Sequence, residues 1–343
     1  MKVAIISEEL NYPIDEGFKK VTYEIVSALK DKCEVIFIGK YQIDISGCLC
    51  KVIQLNKLFL NRSLFQVLNR FNTDVILYIP YSSITIASLI RAWILKVFSR
   101  KKVVVLALQP RHYPDFSKYF IPFLRPDLLL VLSGKSQKYY QSLGFKVQKI
   151  PLGVDIDRFK PVSEKEKMQL REKYGIPKDK KVILHIGHLK KTRNINLLMQ
   201  IAQKKDVLLL LVASTSTLVD EELKKSLNNA NNIRIISWYV ENIEEIYQLS
   251  DCYLFLVEDP IGCIEIPLSV LEAMACNLPV ITTKFGGLPD WFDEKNGLIF
   301  VNKKTDISQI LKELINKNIN TRSLVKSLSW NEISKIIIEK GGI

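Results

Sequence analysis

Short apolar runs alternate with stretches whose apolar residues recur every three or four positions, and they do so along the whole 343-residue chain. The runs read as strands buried on both faces and the periodic stretches as amphipathic helices. In the first half, strands are predicted at Val3–Ile6, Glu34–Ile38, Asp74–Ile79, Val103–Leu108, Asp127–Leu132 and Val147–Ile150. "GFKKVTYEIVSALK" and "SLFQVLNRF" fall between them as helices. The second half repeats the scheme at Lys181–Ile186, Asp206–Val212, Ile233–Ser237, Asp251–Leu256, Pro279–Thr282 and Leu298–Val301. This alternation favours parallel sheets covered by helices. The predicted fold class is α/β, with two doubly wound, Rossmann-like domains in tandem. "IPLGVDIDRFKPVSEKEK", where prolines and charges interrupt the periodicity, marks the boundary between residues 1–155 and 156–328. Ligands of such open sheets sit at the carboxyl ends of the strands, so two of them offer one deep cleft.

Composition agrees with a globular chain that folds without staples, being 48% hydrophobic and 25% charged. Six cysteines are too sparse for a disulfide framework, and no histidine spacing near them makes a zinc site. Cys48 and Cys50 read as an incidental pair of buried thiols. "MKVAIIS" lacks the apolar region and cleavage site of a secretory signal, and Arg91 and Lys96 interrupt the apolar stretch from Ile84 to Phe98. A reducing, cytoplasmic setting is expected. The charge is uneven: residues 51–125 hold twelve Lys and Arg against two acids, ten of the net +13. They alternate with Phe65, Trp93, Phe98, Tyr119, Phe120 and Phe123, a mixture suited to anionic lipid head groups or a phosphorylated partner. Solvated helix faces with aromatics in the core are the other reading. No nucleic-acid-binding motif accompanies the charge.

The chemistry concentrates in "CIEIPLSVLEAMACNLPVITT", residues 263–283. Pro267 suits the first helical position, so a helix is predicted over about residues 267–276. The amides of Leu268 and Ser269 at the positive end of its dipole make an anion site. Glu272, a turn further in, can accept from a diol, and Glu265, just upstream, can reach hydroxyls at the other end of the same ligand. Phosphate in the middle with hydroxyls at both ends describes a nucleotide sugar.

Several segments in order resemble the retaining glycosyltransferases of GT-B fold, family four, also described as glycosyl transferases group 1. "PLSVLEAMACNLPVITTKFGGLPDWFDEKNGLIF" is similar to that family's Glu-x7-Glu region and its Gly-Gly and Asn-Gly-Leu segments. "IPLGVDIDRFKP", "ILHIGHLKKTRNINLLMQIA" and "SWNEISKIIIEK" resemble its domain-junction, phosphate-binding and closing segments. The resemblance implies a GT-B fold whose two domains face across a cleft and whose residues 329–343 form a helix returning to the first domain. It implies that Glu272 binds the donor ribose, that Leu268 and Ser269 hold the pyrophosphate through their amides, and that His188 and Arg193 grip it too. His188 stands where the family has arginine. Counting back eight from Glu272 reaches Ile264, so the spacing is Glu-x6-Glu and the donor-sugar position falls to Ile264 or Glu265. Gly17, Gln109 and His112 are expected on the first domain's side of the cleft, and Trp238, Tyr239 and Val240 around the nucleobase.

The implied activity is retaining, metal-independent transfer of a sugar from a nucleotide diphosphate sugar to a lipid-linked, glycan or other hydroxyl acceptor. No enzymic nucleophile and no cofactor are expected, and Asp155 and Asp157 at the junction read as structural. An acceptor on a lipid-linked glycan and peripheral contact with an anionic membrane at its inner face are expected, with no nucleic acid. Two alternatives remain: a nucleotide-sugar epimerase of the same fold, and a non-catalytic sugar-binding or partner subunit. Ile264, His188 and Ala213-Ser214-Thr215, where the family is often glycine-rich, favour the last.

Overall fold

The computed structural model describes residues 1–81, 83–189, 194–213, 232–314 and 319–343. The chain divides into two compact units. The first comprises Met1–Leu152, Cys263–Ile266 and Trp330–Ile343, and the second Gly153–Gly262 and Pro267–Ser329.

The first unit is built on seven strands: β1 (Lys2–Ile6), β2 (Glu34–Gly39), β3 (Leu49–Val52), β4 (Val75–Tyr78), β5 (Lys102–Leu106), β6 (Leu128–Val131) and β7 (Val147–Lys149). Their order is β3-β2-β1-β4-β5-β6-β7, with every pair parallel. Val3, Ala4, Ile5 and Ile6 of the central strand have no solvent exposure, which is why β1 is apolar on successive residues rather than alternately. Helices α1 (Gly17–Leu29), α2 (Arg62–Arg70), α3 (Ile86–Ser99) and α4 (Gly134–Ser142) belong to this unit. α1 buries Phe18, Val21, Ile25 and Leu29, the three-and-four spacing visible in its sequence. The chain-terminal helix Trp330–Gly341 packs on α1, and Lys340 Nζ donates to the Lys149 carbonyl at 2.9 Å.

Among the described residues the second unit has six strands: β8 (Lys181–Gly187), β9 (Val207–Ala213), β10 (Ile233–Ile236), β11 (Cys252–Phe255), β12 (Val280–Thr283) and β13 (Leu298–Val301). Their order is β10-β9-β8-β11-β12-β13, again all parallel. Each sheet is therefore doubly wound, with its order reversing between β1 and β4 in the first and between β8 and β11 in the second. A crevice at the carboxyl ends of those two strand pairs is the natural ligand position of such a sheet. α5 (Glu164–Lys173) begins with a complete capping box between Ser163 and Glu166, and α6 (Ile195–Ile201) follows Asn194.

Every predicted strand is present, within one residue at each end except at the end of β5, which stops at Leu106, two residues short of Leu108. β3 was not predicted, and neither residues 263–266 nor the helix start match expectation fully. Pro267 is the N-cap, extended at ψ 119, and the helix runs over Leu268–Ala275. Its carbonyl accepts from Val270 N at 3.1 Å, so the proline lies just outside the first turn. Cys48 and Cys50 are half-buried rather than buried, since they flank or occupy the exposed edge strand β3.

Candidate functional site

In the second unit, β8 ends at Gly187, whose φ of 148 lies where a side chain would be strained, and the chain turns there to present half-buried His188. Beside it in the sheet, the segment after β11 is tied to the start of α6: Asn194 Nδ2 donates to the Leu256 carbonyl at 2.8 Å. Arg193, expected to share the pyrophosphate with His188, lies outside the described residues, as do Ser214 and Thr215. His185 points into the sheet, its Nδ1 2.9 Å from the Leu254 carbonyl, in keeping with a packing role.

The Leu268–Ala275 helix carries Glu272 on a buried face. The amides of Leu268 and Ser269 lie in its first turn, where α-helical geometry supplies no acceptor from within the helix. Tyr247, in the helix Ile243–Gln248, donates its phenol to Glu272 Oε2 at 2.7 Å and is itself fully buried. Burial, and next the Glu272 charge, push that phenol well above its ordinary 10.0, so it stays a donor and orients the carboxylate. Tyr247 is held edge-on by Phe159, with ring centroids 5.6 Å apart. The far end of the helix is clamped as well. Arg322 donates to the carbonyls of Ala275 at 2.5 Å, Phe159 at 2.7 Å and Ile156 at 2.8 Å. Asn277 then leaves the helix with a positive φ of 60. The result is a carboxylate and a set of helix-start amides on one rigid element.

Asp155 Oδ1 accepts from the amides of Asp157 and Arg158 at 3.2 and 3.0 Å, which closes the turn that follows. Trp238 and Tyr239 are exposed just beyond the end of β10, and Val240 is half-buried.

The first unit holds the other predicted residues. Gly17 opens α1, and a Cβ there would lie 3.2 Å from Ile264 Cδ1, so the glycine permits the loop 263–266 to pack close. Glu265 is buried in that loop, its amide donating to the Leu108 carbonyl at 2.8 Å. Its Oε1 accepts from the hydroxyls of Ser133 at 2.6 Å and Ser136 at 2.7 Å. Ser133 is the N-cap of α4, so the carboxylate rests at the positive end of a helix. The Gln109 amide donates to Ser83 Oγ at 3.1 Å, while His112 is exposed and lies edge-on to Tyr139.

Sequence reasoning passed over Glu8. It follows the end of β1, at the reversal point of the first sheet, and is buried. Tyr78 and Arg91 donate to its Oε1 at 2.6 and 2.7 Å, and the Tyr81 amide donates to Oε2 at 3.3 Å. The only signal was an acidic residue two positions after an apolar run, since its partners lie 70 and 83 residues away.

Residues 166–329 match the family described as Glycosyl transferases group 1. Among curated proteins, N-acetyl-alpha-D-glucosaminyl L-malate synthase of Bacillus anthracis is 30% identical over 132 residues, 37% of this chain and 33% of that one. The chain spans between 33% and 64% of the length of the first curated relatives it matches. Among solved structures, a glycosyltransferase from Rickettsia africae ESF-5 has a TM-score of 0.81 at 17% identity, covering 99% of this chain and 97% of that one. HepE of Anabaena, solved in complex with UDP-glucose, has a TM-score of 0.76 at 18% identity, covering 100% and 99%. The architecture, two doubly wound parallel sheets, is that of the GT-B fold. Over residues 166–329, the stretch that carries Glu272, the chain is similar to the glycosyl transferases group 1.

Proposed function

We propose that the chain transfers a sugar from a nucleotide diphosphate sugar to a hydroxyl acceptor, with retention of the anomeric configuration. The observation that carries this reading is the Leu268–Ala275 helix, whose first-turn amides and buried, Tyr247-oriented Glu272 offer an anion site and a diol acceptor on one element. In the proposal Glu272 accepts from the ribose hydroxyls. The amides of Leu268 and Ser269, with His188 and Arg193, hold the pyrophosphate, and Trp238, Tyr239 and Val240 line the base. The solved complex of HepE with UDP-glucose, on the same fold, supports a nucleotide-sugar donor.

The bond that breaks joins the anomeric carbon to the distal phosphate oxygen. The acceptor oxygen forms the new bond on the same face of the sugar, and its proton goes to the departing diphosphate. Fixed amides and cations stabilise the charge that develops on that leaving group without reorganising, so the proposal invokes neither an enzymic nucleophile nor a metal. Ile264 and Glu265 keep a proposed place near the donor sugar through the loop packed at Gly17. Gln109 and His112 are proposed for the acceptor side. A lipid-linked glycan as acceptor, and action at a cytoplasmic membrane face, belong to the same reading.

The test is incubation with UDP-, GDP- and ADP-sugars, with and without a membrane lipid extract, following nucleotide release and sugar configuration. Acceptor-dependent release with a retained anomer is expected, without added divalent metal. Isomerised sugar with no transfer, or binding without turnover on every donor, would overturn it.

A further inference from the structure

The first unit carries a surface that the proposed chemistry does not use. Between β5 and β6 the chain forms two short 3-10 turns, Asp115–Tyr119 and Ile121–Leu124, instead of a full covering helix. Ile121 is buried beneath them, but Phe116 is 65% exposed, Tyr119 79%, Phe120 61% and Phe123 76%. Four aromatics in eight residues, each mostly in solvent, are not core residues caught at an edge. The second turn packs against α3, whose Trp93, Val97 and Phe98 are also exposed.

Basic groups border this apolar area. Trp93, Lys96 and Val97 recur at helical spacing, so one cation shares a face of α3 with two exposed apolar side chains, and Arg100 caps the end of that helix. Beyond the end of α3, Lys96, Arg100, Lys101, Lys102 and Lys146 line an open hollow of about 570 Å³ in which Asp127 is the one acidic lining residue. Asp127 pairs with Lys96 at 2.7 Å and leaves the hollow strongly positive. Among the described residues no helix is long and apolar enough to cross a membrane.

We propose that this surface docks the first unit on a bilayer rich in anionic phospholipid, with Phe116, Tyr119, Phe120 and Phe123 entering the head-group region and the hollow at Arg100, Lys101 and Lys146 receiving lipid phosphates. Charge complementarity selects the occupant. A protein partner for seven exposed apolar side chains need not be anionic, whereas an anionic bilayer engages aromatics and cations together. The inference is independent of the donor chemistry, because binding is measured without donor.

The experiment is flotation of the full chain with vesicles of pure phosphatidylcholine and of phosphatidylcholine mixed with phosphatidylglycerol, at low and high salt. Binding is expected only to the anionic vesicles, and it should weaken as salt screens the cations. The variant F116S/F120S/F123S should lose binding about tenfold or more, as should R100E/K101E/K146E. All six positions lie outside the proposed donor site, and an unchanged near-UV circular dichroism spectrum and urea-unfolding profile confirm that each variant is folded. Failure of the wild-type chain to float with anionic vesicles overturns the proposal, as does binding that both variants retain. A concentration-dependent dimer, abolished by the serine variant and unable to bind vesicles, would assign the surface to a second copy instead.

Discussion

Glu265 and Glu272 are seven residues apart and both buried, yet they serve different units in different ways. Glu272 belongs to the second unit and takes a phenol from Tyr247, a neutral donor that orients it on a clamped helix. Glu265 belongs to the first unit, where one oxygen is shared by two serine hydroxyls at the start of α4. The first arrangement presents a carboxylate and leaves the adjacent helix-start amides on the same element. The second uses a carboxylate to fasten a loop. Proximity in sequence therefore does not give two glutamates the same support, and the unit to which a loop packs decides what holds its charge.

The largest effect should come from removing the support of Glu272. Arg322→Ala deletes charged hydrogen bonds to three carbonyls and should cost about 4 kcal/mol of stability, read by urea unfolding. A loss under about 1 kcal/mol would mean that the helix end is held by other contacts. Next, Glu272→Ala should weaken binding of the free nucleotide diphosphate about a hundredfold by calorimetry, close to 2.7 kcal/mol. Glu265→Ala should leave that affinity unchanged while costing the fold about 2 kcal/mol. If the two glutamates lowered nucleotide affinity equally, the contrast between them would be broken. The cost of Glu265→Ala should also be less than additive with Ser133→Ala in a double-mutant cycle, because the two share one contact.

The smallest effect is that of Tyr247→Phe, about 1 kcal/mol at neutral pH. Its sign with pH sharpens the comparison. The Tyr247 phenol is held well above 10.0 in the folded chain, so its contribution is complete below pH 10 and is lost as pH rises from there towards the folded value. Wild type should lose stability above pH 10 faster than Tyr247→Phe, and parallel curves would show that burial and the Glu272 charge do not raise the phenol.

The strands were legible because central parallel strands are apolar on consecutive residues, as β1, β4 and β9 are. β3 was not, since "LCKV" is an exposed edge strand with no buried face to impose a pattern. The helix bearing Glu272 could be placed from Pro267 and the apolar residues after it, though the proline's carbonyl, rather than its ring, begins the helix. What local sequence could not show was partnership over distance. Tyr247 meets Glu272 across 25 residues, Ser133 meets Glu265 across 132, and Glu8 gathers Tyr78 and Arg91 from further elements. Each of these polar groups satisfies another only once the sheet order has brought their elements together.

The helix Trp330–Gly341 has a consequence for how the chain acquires its structure. It packs on α1, and Lys102 Nζ reaches the Gly342 carbonyl across 240 residues of sequence. During synthesis the seven strands of the first sheet leave the ribosome before any of the second, but their unit waits for its last helix until the whole of the second has emerged. The first unit is thus begun first and finished last. Contacts of such long separation close slowly, so its final consolidation should trail that of the second unit. A nascent chain stalled before Trp330 should then expose the face of α1 that this helix covers, a target for chaperones rather than a finished fold.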